Sequence, residues 1–175
     1  MIKFVCTASV YDALNGQVTL LPGISSFSYH PFAAPIHYHR VEADTDAPNI
    51  LDVIQQVPAP ETKVLFLDAG GRDDVHLVSG KHLRLAKARK LAGIAVNGMV
   101  RGDTHEGLTG VMALFAIGRF VVPWEPADEQ LTLTFFDEAA AHGAWLVGDA
   151  DAVMVVEATQ AKSIDLRQVR HPRSG

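Results

Sequence analysis

Apolar positions along the chain fall into short runs that predict alternating strands and helices. The clearest run, residues 63–68, ends in a Gly-Gly turn at residues 69–71 and has the pattern of a buried parallel strand. A helix is predicted over residues 80–91, and residues 94–96 predict the next buried strand. Together these segments form one βαβ unit, whose crossover is expected to be right-handed.

Capping residues set the boundaries of the predicted helices. Ser79 has the side-chain oxygen of an N-cap, and Gly93 is expected to end the helix that follows Ser79. Thr7 predicts the cap of a short helix that runs through Leu14. A further helix is predicted over residues 48–57, because its first residue is a proline, which the first helical turn accepts.

The remaining segments predict a strand-rich C-terminal half. Residues 23–35 are rich in Gly, Ser and Pro and predict a loop, whereas residues 36–43 predict a strand. We therefore predict one compact α/β domain over residues 1–157, followed by a polar tail over residues 158–175. Later strands are predicted at residues 113–116, 120–122, 131–135, 145–147 and 152–156.

Composition and charge narrow the functional classes. A chain of 175 residues with 48% hydrophobic residues suits one domain with a sizeable core, and its single cysteine excludes an intrachain disulfide. The formal net charge of −5 argues against a nucleic-acid-binding face, because phosphate contacts need clustered Lys and Arg. No apolar run approaches the roughly 20 residues of a membrane span, and the first residues lack the apolar core of a signal peptide. These features predict a soluble, cytoplasmic protein that binds neither nucleic acid nor membrane.

Four segments carry a resemblance to a known family by their order and spacing. They are residues 7–14, 64–71, 93–101 and 148–153. Over about residues 7–157 the chain resembles the RraA-like family, which contains the regulator of ribonuclease E activity and class II aldolases that act on 4-hydroxy-4-methyl-2-oxoglutarate. The resemblance implies a compact β/β/α sandwich, a homotrimer with sites between subunits, and a small 2-oxo acid as substrate.

The aldolase members of that family carry an acidic signature from which this chain departs. Their first Asp, at the start of the helix after the Gly-Gly turn, falls on Lys81 here. Arg101 matches the arginine of their Arg-Asp pair, but Gly102 stands where the aspartate is expected. Asp103 and Glu106 reproduce the rest of the pattern one residue late. Either the loop bulges and these two carboxylates bind Mg²⁺ or Mn²⁺, or the metal site has been lost.

The resemblance also implies roles for the side chains. Arg101 would bind the substrate carboxylate, because a guanidinium offers two parallel hydrogen bonds. Lys81 would stabilise an enolate in place of a metal, and His82 or His105 would carry protons near neutral pH. Free N–H groups at the helix start would form a second anion site. The predicted substrate-binding residues are Gly80, Lys81, His82, Leu83, Gly98 and Arg101, and the predicted catalytic residues are Arg101, Lys81 and His82.

Simpler roles remain open for the same residues, and two classes of function follow. Lys81 could face solvent, Arg101 could form an ion pair, and Asp103 could cap a turn. The first function is a lyase that cleaves a carbon–carbon bond of a 2-oxo acid, by aldol cleavage or by decarboxylation of an oxaloacetate-like substrate, including a diverged biosynthetic enzyme. The second is a non-catalytic trimer that docks on ribonuclease E, which the departures at Lys81 and Gly102 favour.

Overall fold

The computed structural model describes residues 6–27, 31–42, 49–58, 62–103, 112–123, 125–126 and 134–164. Within these ranges the helices are α1 (Thr7–Ala13), α2 (Ile50–Gln56), α3 (Gly80–Ala88), α4 (Glu138–Ala141) and α5 (Ala158–Ser163). The strands are β1 (Thr19–Leu20), β2 (Ser25–Ser26), β3 (Phe32–Arg40), β4 (Val64–Val78), β5 (Gly93–Val100), β6 (Ala113–Arg119), β7 (Trp145–Gly148) and β8 (Val153–Val156). None of the helices in these ranges has the length and apolar character needed to cross a membrane.

The eight strands form one sheet in the order β1-β8-β7-β3-β4-β5-β6-β2. Strands β3 to β6 are parallel to one another, and the outer pairings are antiparallel. β3 joins the two halves of the sheet, because its residues 32–35 pair with β7 and its residues 36–40 pair with β4. The predicted α/β class is confirmed, and β4, α3 and β5 form the predicted βαβ unit.

The two halves of the sheet pack face to face. One buried cluster combines Phe66 and Phe115 of the parallel half with Leu146 and Val155 of the antiparallel half. The approach is so close that a Cβ atom on Gly148 would lie 2.6 Å from Cζ of Phe115. Burial of these apolar surfaces between two sheet layers is one source of the driving force for the fold.

Two further clusters complete the layers on the outer faces of the sheet. α2 and α3 cover the parallel half, where Ile54 and Leu83 are fully buried. α1 and α5 cover the antiparallel half, where Val10 and Ala161 pack against Met154. The β/β/α sandwich that the resemblance implied is therefore present, with helices on both outer faces.

Helix boundaries agree with the predictions at most ends. Ser79 is the N-cap of α3, as predicted, but α1 is capped by Cys6 rather than by Thr7. The prediction that Gly93 ends α3 is wrong, because α3 ends at Ala88. Lys90 takes the left-handed conformation after the helix, with a φ of 60°, and Gly93 is the first residue of β5.

Strand predictions were wrong in two places. The predicted loop over residues 23–35 contains β2 and the first part of β3, because Phe32 and Ala34 alternate with less buried residues and fill the core. Residues 120–122 were predicted as a strand but bend away after β6, and Val121 is 79% exposed. The strands predicted at residues 145–147 and 152–156 are confirmed as β7 and β8.

Several predicted segments lie outside the described residues, wholly or in part. These are residues 131–133 of a predicted strand, residue 48 of a predicted helix and most of the predicted polar tail. The first part of that tail, residues 158–163, forms α5 and packs against the antiparallel half through Ala161.

Candidate active site

Most of the predicted site residues gather where β4 and β5 end. The two strands stay paired to Val78 and Val100, and the backbone N–H of Arg101 donates to the Val78 carbonyl at 2.7 Å. Because the carboxyl ends of neighbouring parallel strands lie at one edge of a sheet, the start of α3 and the loop after β5 lie side by side. This edge is the candidate active site.

A bend in the middle of β4 shapes the approach to this edge. Gly70 and Gly71 have φ values of +66° and +82°, a region that side chains with a Cβ disfavour. Gly98 of β5 packs directly on the bend, where an added Cβ would lie 3.1 Å from the Cβ of Ala69. Gly98 therefore permits close packing of the two strands, and no ligand is needed to explain its presence.

A buried polar cluster that the sequence analysis missed supports the bend. Asp68 is 1% exposed, and its carboxylate accepts hydrogen bonds from the Tyr38 hydroxyl at 2.7 Å, from Asn97 Nδ2 at 2.8 Å and from the Gly70 N–H at 3.0 Å. The Arg40 guanidinium lies 3.9 Å from the same carboxylate. Burial and the bond to Asp68 raise the pKa of Tyr38, so its hydroxyl keeps the proton that it donates.

The available signal for this cluster was Asp68 itself, an acidic residue at the end of an apolar strand. Such positions at strand ends are frequent sites of function in parallel sheets. Here the carboxylate joins β3, β4 and β5 at the bend in β4.

Asp103 binds the start of α3 directly. Its Oδ1 atom accepts the backbone N–H of Gly80 at 3.2 Å, and an added Cβ on Gly80 would lie 3.0 Å from the Asp103 carbonyl oxygen. The N–H of Gly80, which the sequence analysis expected to be free for an anion, already has a carboxylate partner from the same chain. Gly80 is small because the loop after β5 lies against it.

His82 acts as part of the cap of α3. The backbone N–H of Ser79 donates to Nδ1 of His82 at 3.0 Å, so this nitrogen carries a lone pair and the ring is neutral. Burial, followed by the charges of Lys81 and His76, lowers the pKa of His82 to about 4. The ring is 9% exposed, and its Nδ1 lone pair is already occupied.

His76 is a second histidine at this edge, and the sequence analysis missed it. Its backbone N–H donates to the Val122 carbonyl at 2.8 Å, and its ring is half-buried. Burial lowers the pKa of His76, Arg101 lowers it further, and the Val122 carbonyl and Asp103 oppose the change. Its Nδ1 atom is buried and has no hydrogen-bond partner among the residues that the structure describes.

The other predicted residues occupy different environments. Lys81 and Arg101 are exposed, on either side of the contact between Asp103 and α3. Leu83 is fully buried in the core cluster beneath α3. Glu106 and His105 lie outside the described residues.

Among the described residues at this edge, Asp103 is the one predicted metal ligand. Across the described ranges, no group of three or more His, Cys, Asp or Glu side chains is arranged to hold a metal ion. Asp103 is engaged with Gly80, and the neighbouring Lys81 and Arg101 would repel a cation. In the described part of the chain, the exposed side chains of Lys81 and Arg101 give this edge positive charge.

A cavity of about 380 Å³ lies at the opposite end of the strands, beside the start of β4. Its polar lining includes His37, Lys63, Glu138 and His142, and none of the predicted site residues contributes to it. Burial and the charge of Lys63 lower the pKa of His37. The predicted chemistry is therefore at the carboxyl ends of the strands and separate from this cavity.

Comparisons with known proteins agree with the fold. A family model described as RraA-like, Aldolase/RraA, matches residues 7–155. The RNA-processing inhibitor RraA from Thermus thermophilis is 26% identical, with a TM-score of 0.66 over 87% of this chain and 92% of that one. An S-adenosylmethionine: 2-dimethylmenaquinone methyltransferase from Geobacillus kaustophilus HTA426 is 24% identical, with a TM-score of 0.67 over 87% of this chain and 95% of that one.

A third structure shares the fold at lower identity. It is an unusual member of the RNase ES inhibitor RraA family from Streptomyces coelicolor, 20% identical, with a TM-score of 0.70 over 94% of this chain and 89% of that one. No curated protein matches the sequence at a significant level.

Proposed function

The chain belongs to the RraA-like (Aldolase/RraA) family, and from that premise we propose that it is a lyase that releases pyruvate from a 2-oxo acid. The observation that carries the proposal is the pair of exposed cations, Lys81 and Arg101, at the edge where β4 and β5 end. They flank a contact between Asp103 and α3, and the charge of Arg101 acts on the ring of His76, whose Nδ1 has no partner among the described residues.

Arg101 is suited to hold the substrate carboxylate. Its backbone is fixed by the bond to Val78, so the side chain extends from a rigid strand end. A guanidinium binds a carboxylate through two parallel hydrogen bonds, which orients the neighbouring 2-oxo group as well as anchoring it.

Lys81 is suited to stabilise the charge that develops during cleavage. Breaking the bond next to the 2-oxo group leaves negative charge on the enolate oxygen of pyruvate. The ammonium group of Lys81, in the first turn of α3, lies on the same edge as Arg101. Its charge lowers the pKa of the buried ring of His82. Two cations of this kind would supply the stabilisation that a metal gives other lyases.

The test is pyruvate release from oxaloacetate and from 4-hydroxy-4-methyl-2-oxoglutarate, with magnesium, with manganese and with chelator. Turnover is expected in chelator, and Arg101→Ala is expected to reduce kcat/KM by at least about 100-fold. Arg119→Ala is the matched control, because Arg119, the last residue of β6, lies over the Phe27 ring.

Each other outcome has a distinct meaning. Turnover that requires metal would mean that Asp103 leaves Gly80 to bind the ion, and the role proposed for Lys81 would be wrong. No pyruvate from either substrate under any condition would exclude the lyase.

A second candidate is a protein that docks on an RNA-processing enzyme. The observation in its favour is the exposed apolar segment after β6, where Val121 is 79% and Val122 is 37% exposed beside the candidate site. The Thermus relative is an RNA-processing inhibitor. Oxalate should raise the Tm of a lyase in an Arg101-dependent manner, whereas a docking protein without a 2-oxo acid site should show no shift.

A further inference from the structure

Nδ1 of His76 is a buried ring nitrogen with no hydrogen-bond partner within the described ranges. Buried polar atoms in folded proteins almost always have a partner, and a catalytic role is one explanation of an exception at the edge of a candidate site. Resting on the lyase function proposed above, we propose that His76 is the proton acceptor in aldol cleavage, its half-buried ring turning so that Nδ1 takes the proton of the substrate hydroxyl.

The backbone around His76 holds it close to the proposed substrate-binding residues. His76 pairs with Met99 of β5, just before the point where Val78 accepts the N–H of Arg101 at 2.7 Å. On its other side, a bond to Val122 at 2.8 Å and a bridge to Pro123 attach it to the segment after β6. The residue is therefore fixed between the two loops that border the site.

The surrounding charges suit a neutral base. Arg101 and Asp103, from the loop after β5, and His82, from α3, are the charged or titratable groups that act on the ring. Burial lowers the pKa of His76, which leaves a lone pair available near neutral pH. His82 cannot take the same role, because its Nδ1 already accepts the N–H of Ser79.

The proton and the electrons balance in the proposed step. Nδ1 of His76 takes the proton of the C4 hydroxyl of a 4-hydroxy-2-oxo acid, and the C4–O bond becomes a carbonyl. The bond between C3 and C4 breaks, and its electron pair forms the enolate of pyruvate beside Arg101 and Lys81. The imidazolium then returns its proton to C3, which gives pyruvate and restores neutral His76.

Two substrates separate this role from the lyase function itself. Decarboxylation of oxaloacetate needs stabilisation of the enolate, but it removes no hydroxyl proton. His76→Asn keeps a polar group near the position of Nδ1 and cannot carry the proton. We expect this variant to lose at least about 100-fold in kcat for cleavage of 4-hydroxy-4-methyl-2-oxoglutarate, with KM and oxaloacetate decarboxylation changed less than about 10-fold.

His142→Asn serves as the matched control, because His142 is exposed and follows α4, away from this edge. A second variant, His76→Ala, should regain aldol cleavage when imidazole is added, which a purely structural role would not allow. Aldol cleavage by His76→Asn at the wild-type rate would overturn the proposal and leave the lyase intact. Equal losses on both substrates without rescue by imidazole would also overturn it. If the wild-type protein turns over neither substrate, the lyase function and the role of His76 both fail.

Discussion

His82 and His76 are both partly withdrawn from solvent, but their Nδ1 atoms have different surroundings. In His82 this atom accepts the N–H of Ser79, which satisfies a donor next to the start of α3. In His76 the corresponding atom is buried without a partner in the described part of the chain. The same side chain therefore serves as a helix cap at one position, and at the other it keeps an unpaired ring nitrogen in the described part of the structure.

The burial of His82 as a neutral ring that caps α3 predicts a loss of stability in acid. Its folded pKa of about 4 lies below the ordinary value of 6.5, so the unfolded chain binds more protons between these values. The contribution of His82 is complete above pH 6.5 and is lost as the pH falls towards 4. The loss is expected to be on the order of 2 kcal/mol in the free energy of unfolding, measured by urea denaturation at several pH values.

His82→Gln is the informative variant, because a glutamine at the third helical position can also accept the N–H of the capping residue and does not titrate. The variant should fold at neutral pH and lose less stability in acid than the wild-type protein. His142→Gln, at an exposed position, should keep the full acid dependence. If His82→Gln and the wild-type protein lose stability equally between pH 6.5 and 4, the burial of a neutral His82 is not the source of the acid dependence.

Single residues could be predicted where their interaction partners are close in the sequence, and could not be predicted where the partners are distant. The cap at Ser79 follows from neighbouring residues, and the sequence was enough to predict it. The bond between Tyr38 and Asp68 joins two strands, and neither residue has a local pattern that reveals the other. The bond between Asp103 and Gly80 depends on the path of the loop, which the spacing of motifs does not determine.

At the scale of elements, β5 was predicted well in its buried centre and poorly at its start. A continuous apolar run is a strong signal for a buried strand, and residues 94–96 are all fully buried. Gly93 was assigned to the end of α3, because glycine often follows a helix. The structure gives it another role, since its neighbour across the sheet, Ala113, leaves no room for a side chain.

Gly93→Ala tests this packing role. The new Cβ would lie 2.5 Å from the Ala113 carbonyl oxygen, so β5 and β6 would have to separate. Overpacking of this kind is expected to reduce the free energy of unfolding by about 1–3 kcal/mol, measured by urea denaturation. Gly102→Ala is the control, because a Cβ added there would meet nothing within 4 Å, and its stability should change by less than about 0.5 kcal/mol. Equal stability of the two variants would contradict the explanation.

At the scale of the whole molecule, the fold depends on contacts between distant parts of the chain. β3 lies between β7 and β4 in the sheet, so residues from the middle and the end of the sequence pair with the same strand. α1, the first described helix, packs on β7 and β8. Asp149 accepts the N–H groups of Asp151 and Ala152 in the turn before β8, and its contact with α1 joins the two ends of the described chain.

Asp149 binds α1 to the antiparallel half of the sheet, because its carboxylate accepts hydrogen bonds from the Thr7 N–H at 2.7 Å and from the Thr7 hydroxyl at 2.9 Å. Burial raises the pKa of Asp149, but the hydrogen bonds from Thr7 and from the turn outweigh burial and lower the pKa overall. The contribution of Asp149 to stability is therefore present above pH 3.8 and is lost in stronger acid. Asp149→Asn should reduce the free energy of unfolding by about 1–3 kcal/mol at pH 7 and accelerate hydrogen exchange in α1. Asp151→Asn is the control, because that side chain is exposed, and it should change neither quantity. Unchanged exchange in α1 would show that apolar packing of Val10 alone holds the helix in place.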